Sequence, residues 1–331
     1  MNIINPKKLN KGDEIRIIAP SRTLALISQE VIKIAVNKLK NQGYKITFSK
    51  NCKEKNVLMS SSIKSRVDDI HDAFRDINVK AILTVVGGFN SNQLLKYLDY
   101  DLIKNNPKII CGYSDITALA NAIFAKTGLI TYSGPHFSTW GMKKGFDYTL
   151  EYFNKCLVEE ESFLVFPSPD WSDDTWYLDQ EKRDFSKNDG PIIINEGEAE
   201  GLSLGGNLCT FNLLQGTEFM PNIKGSILFL EDDELAGNYF SVEFERNLQS
   251  LISQPDFNQV QGLVIGRFQK NTDMNIEKLK YIISTKEELK NMPIVSYFDF
   301  GHTYPLFTFP IGGQVRIIAK NNIINLEIIK H

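Results

Sequence analysis

The chain has 331 residues and a formal net charge of −3, with 42% hydrophobic and 23% charged residues. This is the composition of a globular protein with room for two domains, and its slightly acidic balance excludes a general attraction to nucleic acid or anionic lipid. No apolar run is long enough to span a membrane, and the start Met1-Asn2-Ile3-Ile4-Asn5-Pro6-Lys7-Lys8 has no apolar signal core behind its charges, so a cytoplasmic location is expected.

The run Glu14 to Ala19 predicts a strand stopped by Pro20. Ser28 can cap a helix whose apolar face is Val31, Ile32, Ala35 and Leu39, with Gly43 beyond its end. Lys45-Ile46-Thr47-Phe48 predicts a second strand, and Ile63, Val67, Ile70 and Phe74 mark an amphipathic helix. Ala81-Ile82-Leu83-Thr84-Val85-Val86 reads as a buried strand ended by Gly87-Gly88. A short helix over 94–98, a strand at Ile109-Ile110, a helix from Leu119 to Phe124 and a strand at Leu129-Ile130-Thr131-Tyr132 follow. Alternation of this kind predicts a parallel sheet covered on both faces, with ligands at the carboxyl ends of its strands.

From about Trp140 to Glu196 the pattern loosens, and Pro167 to Trp176 is polar, aromatic and loop-like. Regular elements return at Ala199 to Leu204 and Ser226 to Leu230, then as a helix over 244–252. Strands at Gly262 to Gly266, Gln314 to Ile318 and Ile323 to Leu326 complete the chain. The expected class is α/β. An N-terminal parallel-sheet domain over 1–140 carries a nucleophile-elbow serine, 141–196 is an irregular connecting segment, and a mixed α/β domain covers 197–331.

The stretch Cys111-Gly112-Tyr113-Ser114-Asp115-Ile116-Thr117 joins a strand to a helix. A serine there is lifted out of the sheet beside the N–H groups of the helix start, as a nucleophilic hydroxyl requires. The α/β-hydrolase elbow would have glycine where Ile116 stands, and a plain helix cap is the alternative reading. A serine nucleophile needs a base, and there are four histidines. His71 lies on a solvated helix face, and His331, the last residue, is expected to be disordered. His302, in the aromatic loop Phe298-Asp299-Phe300-Gly301-His302-Thr303-Tyr304-Pro305, is favoured as base, and His136 after Gly134-Pro135 stays open. The imidazole needs an acid, and Glu231 leads the run Glu231-Asp232-Asp233-Glu234 directly after an apolar strand. A solvated charge run is the other reading. Backbone N–H groups of Asp115 and of Gly87-Gly88 can face an oxyanion.

The four cysteines form no C-x-x-C pair, so neither zinc nor a disulfide framework is indicated, and Cys111 and Cys209 read as core thiols. Gly87-Gly88 lacks the spacing of a nucleotide-binding glycine loop. Neither a metal nor an organic cofactor is expected.

Five motifs occur in order: Gly87-Gly88-Phe89-Asn90, Gly112 to Thr117, Leu204-Gly205-Gly206-Asn207-Leu208, Leu228-Phe229-Leu230-Glu231-Asp232 and Phe300-Gly301-His302. Together they resemble the LD-carboxypeptidase family of serine peptidases, which includes the microcin C immunity peptidases. The resemblance implies a Ser114–Glu231–His302 triad, oxyanion donors on the backbone of Gly88 and Asp115, and a homodimer. Gly205-Gly206-Asn207 is then expected as a structural turn beside the cleft. The stretch Gly87 to Asn92 is most similar to the immunity-type branch, as is the loop with Trp171 and Trp176. Asn90, Trp171 and Trp176 are accordingly expected at the substrate, the tryptophans stacking on a purine face unless they pack a lid instead. The implied partner is a small peptide or peptidyl-nucleotide, with an aspartyl-nucleotide bond as target. A muropeptide LD-carboxypeptidase is the alternative, and a non-catalytic cleft-binding protein would not need Ser, Glu and His together.

Overall fold

The computed structural model describes residues 2–331. Two sheets carry the fold. In the first, β1 (Glu14–Ile18), β2 (Lys45–Phe48), β3 (Val79–Thr84), β4 (Ile109–Cys111) and β5 (Thr131–Ser133) pair in parallel in the order β5-β4-β3-β1-β2. The intervening helices are α1 (Gln29–Asn41), α2 (Ile63–Arg75), α3 (Tyr100–Asn105) and α4 (Ile116–Thr127). Ser28 caps α1 as expected, its hydroxyl accepting from Val31 N–H at 3.2 Å, and Val31, Ala35 and Leu39 bury the inner face.

The segment 141–196 is more ordered than its sequence suggested. It contains α5 (Asp147–Leu157), the short strand β6 (Phe163–Leu164), a hairpin of β7 (Asp170–Trp171) with β8 (Ser186–Lys187), and β9 (Ile192–Asn195). The signal was weak for physical reasons. Helix α5 starts at Phe146 with no side-chain cap, and β6 and β9 are short, partly exposed edge strands.

The second sheet has β10 (Gly197–Asn207), β11 (Ser226–Glu231), β12 (Gly262–Gly266) and β13 (Ile294–Phe298) as a parallel centre. Helices α6 (Leu208–Asn212), α7 (Phe240–Ile252) and α8 (Ile276–Ser284) lie between these strands in the chain. After β13 the chain crosses back. Strand β14 (Phe309–Ile311) pairs antiparallel with β5 at the edge of the first sheet, so the first sheet is completed from beyond residue 197. Pro310 inside that strand is compatible with an edge and disguises it in sequence. Strands β15 (Gln314–Lys320) and β16 (Ile323–Lys330) then extend the second sheet to the order β6-β16-β15-β10-β11-β12-β13-β9.

Helix α4, which follows Ser114, touches both β5 and β10, and is buried on nearly every face from Ile116 to Phe124. Its polar residues tie it to the second sheet. Asn121 Nδ2 donates to Gly205 O at 2.8 Å, Gly205 N–H returns to Asn121 Oδ1 at 3.1 Å, and Asn207 N–H donates to Thr117 Oγ1 at 3.0 Å. Gly205-Gly206-Asn207 is therefore the end of a long strand, not a turn, and a Cβ on Gly206 would come within 2.5 Å of Thr117. His331 is buried, not disordered: its ring nitrogens reach Cys156 O at 2.7 Å and Glu161 O at 3.1 Å. Cys111 is buried as expected, whereas Cys209 is exposed at the start of α6.

Among the described residues no helix is long and apolar enough to cross a membrane, and no three His, Cys, Asp or Glu side chains are grouped as metal ligands would be.

Candidate active site

The carboxyl ends of the parallel strands in both sheets meet at one cleft of about 300 Å³. Ser114 stands between β4 and α4 with φ +60, a left-handed conformation rare for a residue with a side chain. The opposing residue is Gly87, just past β3. A Cβ there would lie 2.8 Å from both Cβ and Oγ of Ser114, so only glycine leaves the hydroxyl room.

His302 Nε2 lies 3.0 Å from Ser114 Oγ, and His302 Nδ1 lies 2.7 Å from Glu231 Oε2. Glu231 is the last residue of β11 and is 2% exposed. It is held by the strand itself, more firmly than a residue just beyond it would be. The histidine loop is braced from below. Phe300 packs edge-on against Phe307 and Phe309, and Phe307 N–H donates to Asp299 O at 2.8 Å. The Asp299 carboxylate accepts from Ser168 N–H at 2.8 Å and pairs with the buried Arg267 at 3.3 Å. Burial alone would lower His302, but the Glu231 carboxylate, with Asp233 and Asp232 behind it, outweighs that effect and sets the imidazole at about 9.

His136 lines the cleft but is engaged elsewhere. Its Nδ1 is 2.8 Å from Thr84 Oγ1, and its ring stacks on Tyr113 at 4.3 Å. Burial, with His302 nearby, pushes it down to about 3, so it stays neutral. Tyr113 packs the turn: it sits edge-on to His302 at 5.5 Å, and its hydroxyl meets that of Tyr304 at 2.9 Å. Asp232 does not touch His302. It accepts from Asn207 Nδ2 at 3.1 Å, and burial, with Glu231 and Asp233 adding to it, pushes its carboxyl up to about 7.

The N–H groups of Gly88 and Asp115 have no acceptor within the protein among the described residues. The Asp115 side chain does not cap α4. Its Oδ2 accepts from Ser21 Oγ, from Asn90 N–H at 3.0 Å and from Ser91 N–H at 2.9 Å, tying the Gly87–Ser91 loop to the turn that carries Ser114. That clamp is not legible in the sequence. The spacing Ser114-Asp115 reads first as a cap, and its partners lie some 25 and 94 residues away in sequence.

The expected substrate residues are not brought to the cleft wall. Asn90 Oδ1 accepts from Arg66 Nη1 at 3.0 Å. Trp176 is 4% exposed, part of the core of the first sheet, with its ring edge toward Tyr304. Trp171 lies under Arg267 and Lys270, at 5.0 and 5.2 Å from its ring. The aromatic side chains that do line the cleft, besides Tyr113, are Tyr177 and Phe89, both exposed. Tyr177 follows Trp176 directly, and nothing local in the sequence says which of the two turns outward.

A two-sheet α/β fold with a serine at a strand–helix turn and a histidine against its hydroxyl is the framework of a serine hydrolase. The sequence signature of the LD-carboxypeptidase N-terminal domain matches residues 15–134, and that of the LD-carboxypeptidase C-terminal domain matches 200–317. The chain belongs to the LD-carboxypeptidase family and is a serine peptidase of that family. It is 54% identical, over 98% of its length and 99% of the other, to YocD of Bacillus subtilis (strain 168), whose name assigns it provisionally to the carboxypeptidases. The solved structure of an MccF-like protein from Bacillus anthracis str. Ames superposes with a TM-score of 0.98 at 54% identity, covering 99% of this chain and all of that one. The microcin C7 self-immunity protein MccF of Escherichia coli is 32% identical over 95% of this chain and 93% of its own. The structure of MccF in complex with aspartyl sulfamoyl adenosine superposes with a TM-score of 0.88 at 31% identity, covering 98% of each chain.

Proposed function

We propose that the protein hydrolyses an amide-type bond at the carboxyl side of an aspartyl-like residue, the other partner in that bond being a nucleotide-like group. Ser114 Oγ attacks the carbonyl carbon, and its proton passes to His302 Nε2. Glu231 holds the imidazole in the tautomer that accepts there, and stabilises the imidazolium that forms. The oxyanion is received by the N–H groups of Gly88 and Asp115. His302 then donates its proton to the leaving nitrogen, and water repeats the sequence on the acyl-enzyme. The observation that carries this reading is the unbroken chain Ser114–His302–Glu231, at 3.0 and 2.7 Å, beside two unengaged N–H donors.

The similarity to MccF, whose structure includes an aspartyl sulfamoyl adenosine complex, supports the choice of substrate class, and the exposed rings of Tyr177 and Phe89 supply apolar surface for a base. The family signature itself favours the second reading, removal of a terminal D-residue from a muropeptide. The family resemblance also supports a homodimer. The deciding experiment is a hydrolysis panel of an aspartyl-adenosine phosphoramidate against an L-Ala–γ-D-Glu–L-Lys–D-Ala tetrapeptide, with Ser114→Ala protein as blank. Faster turnover of the phosphoramidate is expected, and exclusive turnover of the tetrapeptide selects the muropeptide reading.

A further inference from the structure

The cleft contains one lysine or arginine, and the chemistry above leaves it without a task. Arg22 lines the cleft together with Gly88, Ser114 and His302. Its guanidinium has no hydrogen bond or ion pair among the described residues, whereas the other arginines are all engaged. Its stem lies on the backbone that carries one oxyanion donor: a Cβ on Gly88 would fall 2.7 Å from Arg22 Cγ and 3.0 Å from Cδ.

The backbone of this cation is fixed. Arg22 N–H donates to Gly87 O at 3.4 Å, and Arg22 forms a bridge to Ser60. Ser60 Oγ donates to Ser21 O at 2.6 Å, and Ser21 Oγ donates to the Asp115 carboxylate. Thr23 N–H donates to Met59 O at 3.0 Å. Arg22 is thus held on Gly87, which faces the Ser114 hydroxyl, and against Gly88, while its neighbour Ser21 is bonded to Asp115, the residue after Ser114. The other formal charges lining the cleft, apart from the histidines, are Asp233 and Glu234, just past β11. A free guanidinium in such a cleft is a fork for a carboxylate or phosphate, which it binds through paired, charge-assisted N–H···O bonds.

We propose that Arg22 is the specificity-determining residue of this peptidase and binds an oxyanionic group of the substrate close to the scissile carbonyl. That group is either the terminal carboxylate of a peptide or the phosphate of a nucleotidyl group. Asp233 and Glu234 disfavour the same anion elsewhere in the cleft, so Arg22 also sets the direction in which the substrate lies. The proposal rests on the peptidase reading of Ser114.

The test compares wild type, Arg22→Met and Arg22→Lys on four substrates: an aspartyl-adenosine phosphoramidate, an L-aspartyl anilide that lacks the phosphate, a tetrapeptide ending in L-Lys–D-Ala, and its D-Ala carboxamide that lacks the terminal carboxylate. With Arg22→Met, kcat/KM should fall about 10- to 100-fold on the substrate that carries the bound phosphate or terminal carboxylate, chiefly through KM, and only about threefold or less on the counterpart that lacks it. Arg22→Lys should recover part of the loss, since it keeps the charge but not the fork. A selective loss confined to the phosphoramidate identifies a phosphate, and one confined to the tetrapeptide a carboxylate. Equal losses on substrates with and without the phosphate or terminal carboxylate, or no loss on any, overturn the proposal. Wild type that hydrolyses none of the four takes the peptidase reading down with it, whereas an active enzyme indifferent to Arg22 removes the anion site alone.

Discussion

Gly301 lies directly against the carboxylate of Glu231: a Cβ on Gly301 would come within 2.5 Å of Glu231 Cγ and 2.6 Å of Cδ. Gly301 also has φ +93, a conformation that side-chain-bearing residues rarely adopt. Glu231 and His302 are therefore positioned together, since the loop that carries His302 can close onto Glu231 only through a residue with no side chain. Gly301→Ala should cost about 1–3 kcal/mol of stability from the backbone conformation alone. It should also lower kcat by more than tenfold by displacing Glu231 from His302. Denaturant unfolding and steady-state kinetics on the same preparation check both. Normal kcat with reduced stability would mean that the carboxylate has room to move.

Three residues that act as a unit lose their effect non-additively. Ser114→Ala and His302→Ala are each expected to lower kcat by about 10,000-fold or more, Glu231→Ala by somewhat less, and the Ser114→Ala/His302→Ala double variant little beyond either single. Asp232→Asn should leave most of kcat, because its carboxylate is bonded to Asn207 and not to the imidazole. Near-normal turnover in Glu231→Ala together with collapse in Asp232→Asn would transfer the acid's role to Asp232.

The pH dependence follows from His302. With the imidazole at about 9, the free enzyme holds it protonated at neutrality, so the base form and kcat/KM should rise with pH through about 9. Glu231→Gln removes the main raising charge, leaves only the weaker pull of Asp233 and Asp232 against burial, and should move that limb to lower pH while reducing the plateau. The same shift links to folding. A group held above its ordinary 6.5 contributes stability that is fully present below pH 6.5 and is lost as pH rises through about 9, on the order of 3 kcal/mol here. Thermal melts from pH 6 to 10 should show a decline that His302→Gln lacks. A wild-type kcat/KM limb near pH 6 would refute this charge arrangement.

Trp176 and Tyr177, adjacent in sequence, should separate into structure and substrate. Trp176→Ala removes a buried ring and is expected to cost about 3–5 kcal/mol of stability. Tyr177→Ala removes an exposed ring at the cleft and should leave Tm nearly unchanged. It should weaken binding of an aspartyl-nucleotide by about 1–3 kcal/mol and of a plain tetrapeptide much less. Equal effects of Tyr177→Ala on both substrates would remove base stacking from the account.

The sequence carried those parts of the site that local pattern and strand ends dictate. Gly87-Gly88 follows an apolar run directly, Ser114 stands in the turn after another, Glu231 directly follows a third, and His302 is favoured among four histidines with His136 left open. The resemblance of five ordered motifs tied them together. What stayed hidden depends on contacts distant in sequence. Strand β14 joins the first sheet from the far end of the chain, the Asp115 carboxylate reaches back to Ser21, and Arg22 is noticed only once Gly88 lies beneath it. Side-chain direction was equally hidden. An aromatic loop with Trp171, Trp176 and Tyr177 gives no periodicity by which to tell the buried rings from the exposed one.

Activation of Ser114 as a nucleophile by His302 is tested most directly by site-mapped covalent labelling. Wild-type protein is incubated with a fluorophosphonate and the adduct located by peptide mass spectrometry. A single adduct on Ser114 is predicted, absent in Ser114→Ala and formed at least 100-fold more slowly in His302→Ala. An adduct on another residue, or labelling of Ser114 at an undiminished rate without His302, would contradict the mechanism.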